Sequence, residues 1–95
     1  MSSTAEAQPV TASWYQEGKV TASGEKYNPD GFTVAHRTLP FGTKLLLTYK
    51  GKSIVVRVND RGPFAKGRQL DLSRGTAVFL GCKGVCKIDM QIIKT

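Results

Sequence analysis

Long apolar runs are missing from this chain of 95 residues. No window approaches the 18 or so consecutive apolar residues of a membrane-spanning helix, and none has the apolar centre of a signal peptide. Cysteine is scarce. The only two thiols, Cys82 and Cys86, fall short of the four ligands of a structural zinc site, and the single histidine, His36, lies far from them in sequence. No metal and no cofactor is therefore expected. Acidic residues are few as well: 7 Asp and Glu stand against 14 Lys and Arg, for a net charge of +7. Such a balance favours polyanionic surroundings, whether nucleic acid, an anionic membrane surface or the acidic polymers of a bacterial envelope. The basic residues are nevertheless scattered singly, with no run of four, so there is no polybasic anchor, and a well-solvated surface accounts for them equally. Neither the aromatic and glycine pattern of an RNA-recognition module nor zinc-finger spacing is present, and no nucleic-acid partner is expected.

What is present is ordinary globular material, with 40% hydrophobic and 22% charged residues. Residues 1–9 are small and polar and are expected to be a flexible leader, the mature terminus left after removal of a signal peptide. Residues 10–95 are expected to form a single monomeric domain. Along it, strands are predicted at 10–15, 32–36, 44–49, 53–59, 69–72 and 86–92, the third and fourth joined as a hairpin around Lys50-Gly51-Lys52. Ser73 is placed to cap a brief helix that Gly81 stops. Six short strands with one or two short helices suggest a mainly β fold. A small closed barrel leaves no exposed edges, and an open sandwich is its competitor.

Within this frame Val58-Asn59-Asp60-Arg61-Gly62-Pro63-Phe64 stands out. Ser53 to Val58 is rich in β-branched residues, whereas Gly62-Pro63 cannot continue a ladder, so Asp60 is set at the end of a rigid strand on a loop. Turns use the same residue types, so the stretch alone does not decide between chemistry and a simple turn. Asp71, two positions before the predicted cap, is expected to support the helix start. Gly81 and Gly84 would let the loop between Cys82 and Cys86 double back, so these thiols either bridge in an oxidising compartment or are two small buried hydrophobes.

Five segments taken together resemble one family: Ala12-Ser13-Trp14-Tyr15, Thr21-Ala22-Ser23-Gly24-Glu25, Ala35-His36-Arg37-Thr38-Leu39-Pro40-Phe41-Gly42-Thr43, Val56 to Phe64, and Leu70-Asp71-Leu72-Ser73. In this order they are similar to the double-psi β-barrel domain of the rare lipoprotein A family, bacterial lytic transglycosylases related in fold to expansins and barwin. The resemblance implies a six-stranded double-psi β-barrel with a groove across one side. It also implies cleavage of peptidoglycan glycan strands between N-acetylmuramic acid and N-acetylglucosamine, preferentially strands poor in peptide. The product would be a 1,6-anhydro sugar, made in the periplasm or outside the cell.

Carried over by motif, Asp60 takes the place of the catalytic carboxylate, with His36 and Glu25 as further functional groove residues. One carboxyl can serve in turn as acid to the departing oxygen and as base to the muramic C6 hydroxyl, because the substrate supplies its own nucleophile. Trp14, Tyr15 and Phe64 offer faces for sugar rings, and Arg61 is a further substrate-binding candidate that complicates Asp60 if the two side chains pair. A fold of this kind can also bind glycan without cutting it, as an expansin-like module would.

Overall fold

Alternation of apolar and polar side chains sets most of the strands in the computed structural model, which describes residues 7–15, 20–64 and 66–93. The elements run β1 Gln8–Tyr15, β2 Thr33–Ala35, β3 Lys44–Tyr49, β4 Lys52–Asp60, β5 Leu70–Ser73, α1 Arg74–Leu80 and β6 Cys86–Ile93. In β6 the burial alternates, with Cys86, Ile88 and Met90 buried and Lys87 and Asp89 exposed. The first strand begins earlier than expected. Gln8 and Pro9 pair with Met90 and Asp89 of β6, so the expected leader does not extend to residue 9; its first six residues, like 16–19, lie outside the described residues.

The six strands close into one barrel in the order β1-β5-β2-β4-β3-β6, with β6 returning to β1. Two pairings, β1 with β5 and β2 with β4, are parallel, and the other four are antiparallel. This closed mixed barrel with one helix has the double-psi β-barrel architecture. Closure gives each of the six strands a paired neighbour on both sides. The hairpin turns on Lys50 and Gly51, with φ of 48° and 82°, which matches the right-handed twist of its strands.

Val10, Ala12, Val34, Leu45, Leu47, Val56, Val58, Leu70, Leu72, Ile88 and Met90 fill the interior, and α1 adds Ala77 and Leu80 to the same core. Ser73 ties the helix in. Its hydroxyl oxygen accepts from Thr76 N at 3.2 Å and the hydroxyl donates to Gly31 O at 2.6 Å, while Gly81 closes the other end. Cys82 and Cys86, both buried, are joined by a disulfide with an S–S distance of 2.08 Å. No helix among the described residues is long and apolar enough to cross a membrane.

Candidate active site

Unbroken alternation along β4 would turn Asp60 to the same face as Val56 and Val58, into the core. The pairing with β2 prevents this: Val34 faces Val58 but Ala35 faces Asp60, so Asn59 is left over as a bulge. One extra residue therefore moves a carboxylate from the barrel interior to its outer wall. There it joins a row that crosses four neighbouring strands, Ser13 on β1, Asp71 on β5, Ala35 on β2 and Asp60 on β4. Side chains in one such row emerge on one face.

Asp60 receives three hydrogen bonds. Oδ1 accepts from Ala22 N at 2.9 Å and from Arg61 N at 2.8 Å, and Oδ2 accepts from the Tyr15 hydroxyl at 3.4 Å. Tyr15 stacks on Tyr27, ring centroids 4.7 Å apart, and the Tyr27 hydroxyl donates to Tyr15 O at 2.6 Å. Burial first, and then the charge of Asp60, push the Tyr15 hydroxyl well above its ordinary pKa, so it remains a donor. Asp71 does not serve the helix start; Ser73 does that, and Asp71 Oδ1 instead accepts from Ser13 Oγ at 2.9 Å across the β1–β5 pair. Burial raises the Asp71 carboxyl above the usual carboxylate range. The Asp60 charge raises it further, while Ser13 and Arg68 pull the other way.

Two loops that bear motif residues clasp each other through exchanged arginines. The Arg61 guanidinium turns away from Asp60. It donates to His36 O at 3.1 Å and Leu39 O at 2.8 Å and lies 4.0 Å over the Phe41 ring. In return Arg37 donates to Pro63 O at 2.7 Å and Arg68 O at 2.6 Å. Arg61, expected to bind substrate, thus spends its head group on the 36–41 loop. Gly62 between the clasps has φ of 127°, a conformation open to glycine and closed to side-chain-bearing residues.

His36 is fixed by the same loop. Its backbone N donates to Asp60 O at 3.2 Å, and its Nδ1 accepts from both Thr38 N and Leu39 N at 3.1 Å. Two donors on Nδ1 leave the proton on Nε2. Burial, with the nearby Arg61 and Arg37 charges, holds the imidazole below its ordinary pKa. His36 is accordingly a neutral ring that offers Nε2–H.

Glu25 is placed one step along the wall. Its carboxylate binds Arg57 at 2.7 Å and Asn59 Nδ2 at 2.5 Å, and these hydrogen bonds, Arg57 first, hold it below the usual carboxylate range. Together with Lys26, Asn28, Phe32 and Thr33 these residues line a recess of about 210 Å³. Two buried polar atoms in its wall, Thr33 Oγ1 and Asn59 Oδ1, have no partner among the described residues. Of the aromatic candidates, Trp14 packs against the core, whereas Phe64 is 81% exposed and its ring is free to meet a ligand. Among the described residues no group of three or more His, Cys, Asp and Glu could hold a metal ion.

The fold and this wall define a double-psi β-barrel that presents carboxylates on its outer wall, with a neutral histidine in the loop after β2 and an exposed aromatic after β4. A family profile described as lytic transglycolase matches residues 7–92. A protein of Nostoc sp. named "Probable endolytic peptidoglycan transglycosylase RlpA" is 49% identical over 80 residues, 80% of this chain and 22% of that one. Its namesake from Treponema pallidum is 51% identical over 87 residues, 84% of this chain and 27% of the other. The chain belongs to this family, the rare lipoprotein A-like double-psi β-barrels. It spans about a quarter of the length of these curated relatives. Among solved structures, the Streptomyces papain inhibitor superposes with a TM-score of 0.79 over 97% of this chain and 98% of that one, at 20% identity, a likeness of fold.

Proposed function

We propose that this domain is a peptidoglycan lytic transglycosylase that cleaves the bond between N-acetylmuramic acid and N-acetylglucosamine and leaves 1,6-anhydro-muramic ends, preferring strands poor in peptide. The observation that carries the reading is the bulge at Asn59, which spends a residue of regular strand to bring Asp60 onto the outer wall beside the Tyr15 hydroxyl and the loop of His36. The relatives named as endolytic peptidoglycan transglycosylases support the same chemistry.

In this reading Asp60 is the carboxylate that removes the proton from the muramic C6 hydroxyl as that oxygen closes on C1. His36 presents Nε2–H to the sugar and does not ionise during the cycle. Glu25 keeps the 21–25 segment on the wall through Arg57 and Asn59, so that Ala22 N–H stays on Asp60. In the recess a sugar hydroxyl or acetamido group would meet the polar side chains of Glu25, Lys26 and Arg57, and Phe64 would stack on a ring. The domain acts outside the cytoplasm, where the Cys82–Cys86 bridge persists.

The test is digestion of intact and amidase-stripped peptidoglycan, with mass spectrometry of the released material. Anhydro-muramic products, in greater yield from stripped strands, are expected. If the domain co-sediments with the glycan but releases no anhydro product from either substrate, it is a binding module and the enzymatic reading fails.

A further inference from the structure

One row of the barrel holds two carboxylates, and a cycle run on Asp60 alone leaves the second without a task. Asp60 and Asp71 both pair with Ala35, one from β4 and one from β5. Two strand spacings of about 4.8 Å put their Cα atoms roughly 10 Å apart with side chains on one face. Only a methyl group stands in the row between them. Glycoside-cleaving sites commonly divide the acid and base roles between two such carboxyls.

The two carboxyls are also dressed differently. Three donors, two of them backbone N–H groups, converge on Asp60. Asp71 receives one hydrogen bond, from Ser13, and is half-buried. The charged and titratable groups that face it are Tyr15 from β1, Tyr27 from the segment before β2, Asp60 from β4 and Arg68 from the segment before β5. Burial and the Asp60 charge outweigh Ser13 and Arg68, so the Asp71 carboxyl is held above the usual carboxylate range.

We propose that Asp71 is the general acid of the transglycosylase reaction and that Asp60 is its base, a division of labour that rests on the transglycosylase reading. Asp71 gives its proton to the glycosidic oxygen as the C1–O bond breaks and the electron pair leaves with the N-acetylglucosamine 4-oxygen. The muramic C6 oxygen forms the new bond to C1, and its proton passes to Asp60. No water is consumed. Return of that proton from Asp60 to Asp71 resets the pair.

Two measurements on the domain test this. In the first, the ¹³C carboxyl shift of Asp71 is followed against pH; it titrates above the ordinary range in wild type and moves down in Asp60→Asn. An Asp71 titration unmoved by that change overturns the coupling. In the second, wild type, Asp71→Asn and Ser13→Ala are assayed on amidase-stripped glycan and on a 4-methylumbelliferyl glycoside of a muramic-terminated oligosaccharide, whose leaving group needs no acid. Asp71→Asn should lose about 100-fold or more on glycan, stay within about tenfold of wild type on the aryl glycoside, and lose the alkaline limb of its pH profile. Ser13→Ala, which keeps the acid and removes only its hydrogen bond, should retain activity on both.

Equal losses of Asp71→Asn on the two substrates, losses matched by Ser13→Ala, or no loss on glycan each refute an acid role. Wild type inert on both removes the transglycosylase reading itself, a pattern distinct from any of these.

Discussion

Replacement of Arg61 separates a residue that holds the site from one that holds the substrate. In the structure its guanidinium makes two hydrogen bonds to carbonyls, at 3.1 Å and 2.8 Å, and covers the Phe41 ring. Hydrogen bonds from a charged donor contribute about 1.5–3 kcal/mol each when buried, and an exposed cation–π contact about 0.5–1 kcal/mol. Arg61 is half-buried and the freed carbonyls can rehydrate, which brings Arg61→Ala below the sum of these contributions, to about 2 kcal/mol destabilised. For a domain of this size that is a fall in Tm of roughly 8–16 °C. Arg61→Lys should recover less than half, because an ammonium lacks the planar face that the guanidinium lays over the Phe41 ring. Urea denaturation and thermal melts followed by circular dichroism read this directly. A Tm within 2 °C of wild type, with glycan binding weakened, would refute the clasp and return Arg61 to the substrate.

Because the His36 imidazole is held below its ordinary pKa of 6.5, the unfolded chain takes up a proton first on acidification. The stability this contributes is complete above pH 6.5 and is lost as pH falls below it, so His36→Gln should flatten the decline of Tm between pH 7 and 5; an unchanged slope refutes the assignment. Asp71 has the opposite sign. Its raised pKa contributes stability at acid pH that disappears as pH rises from 3.8 through the folded value, so Asp71→Asn should melt higher than wild type at pH 7, and a lower melt contradicts the burial argument. A methyl group at Gly75 would lie 2.7 Å from Asp30 O and 2.9 Å from Asp30 C, both backbone atoms. Gly75→Ala should therefore cost about 1–3 kcal/mol in urea unfolding, even though alanine ordinarily gains about 1 kcal/mol inside a helix; a neutral or stabilised variant would show that the Asp30 turn yields.

Local rules carried much of the fold. The two-residue period exposes Cys86, Ile88 and Met90 as one face, and Ser73 and Gly81 bracket a helix that the structure runs from Arg74 to Leu80. The hairpin was legible from Lys50-Gly51, though its loop is one residue shorter, since Tyr49 pairs directly with Lys52. Strand order is a different matter, because period-2 patterning specifies faces and not neighbours. Nothing local says that β2, three residues long, lies between β4 and β5, and so nothing local joins Asp60 to Asp71. The bulge at Asn59 is equally silent, since it exists only relative to the register of β2. By sequence Arg61 is a candidate partner for the adjacent Asp60, whereas its long side chain reaches 22 residues back to Leu39, a contact that appears once the loops are folded together.

Release of anhydro-muramic ends from amidase-stripped glycan by wild type and Asp60→Asn, followed by mass spectrometry over time, bears most directly on the central claim that the outer-wall carboxylate does the chemistry. The account predicts steady release by wild type and, from a folded Asp60→Asn that still sediments with the glycan, release lowered at least 100-fold. Anhydro ends formed by Asp60→Asn at the wild-type rate would contradict it.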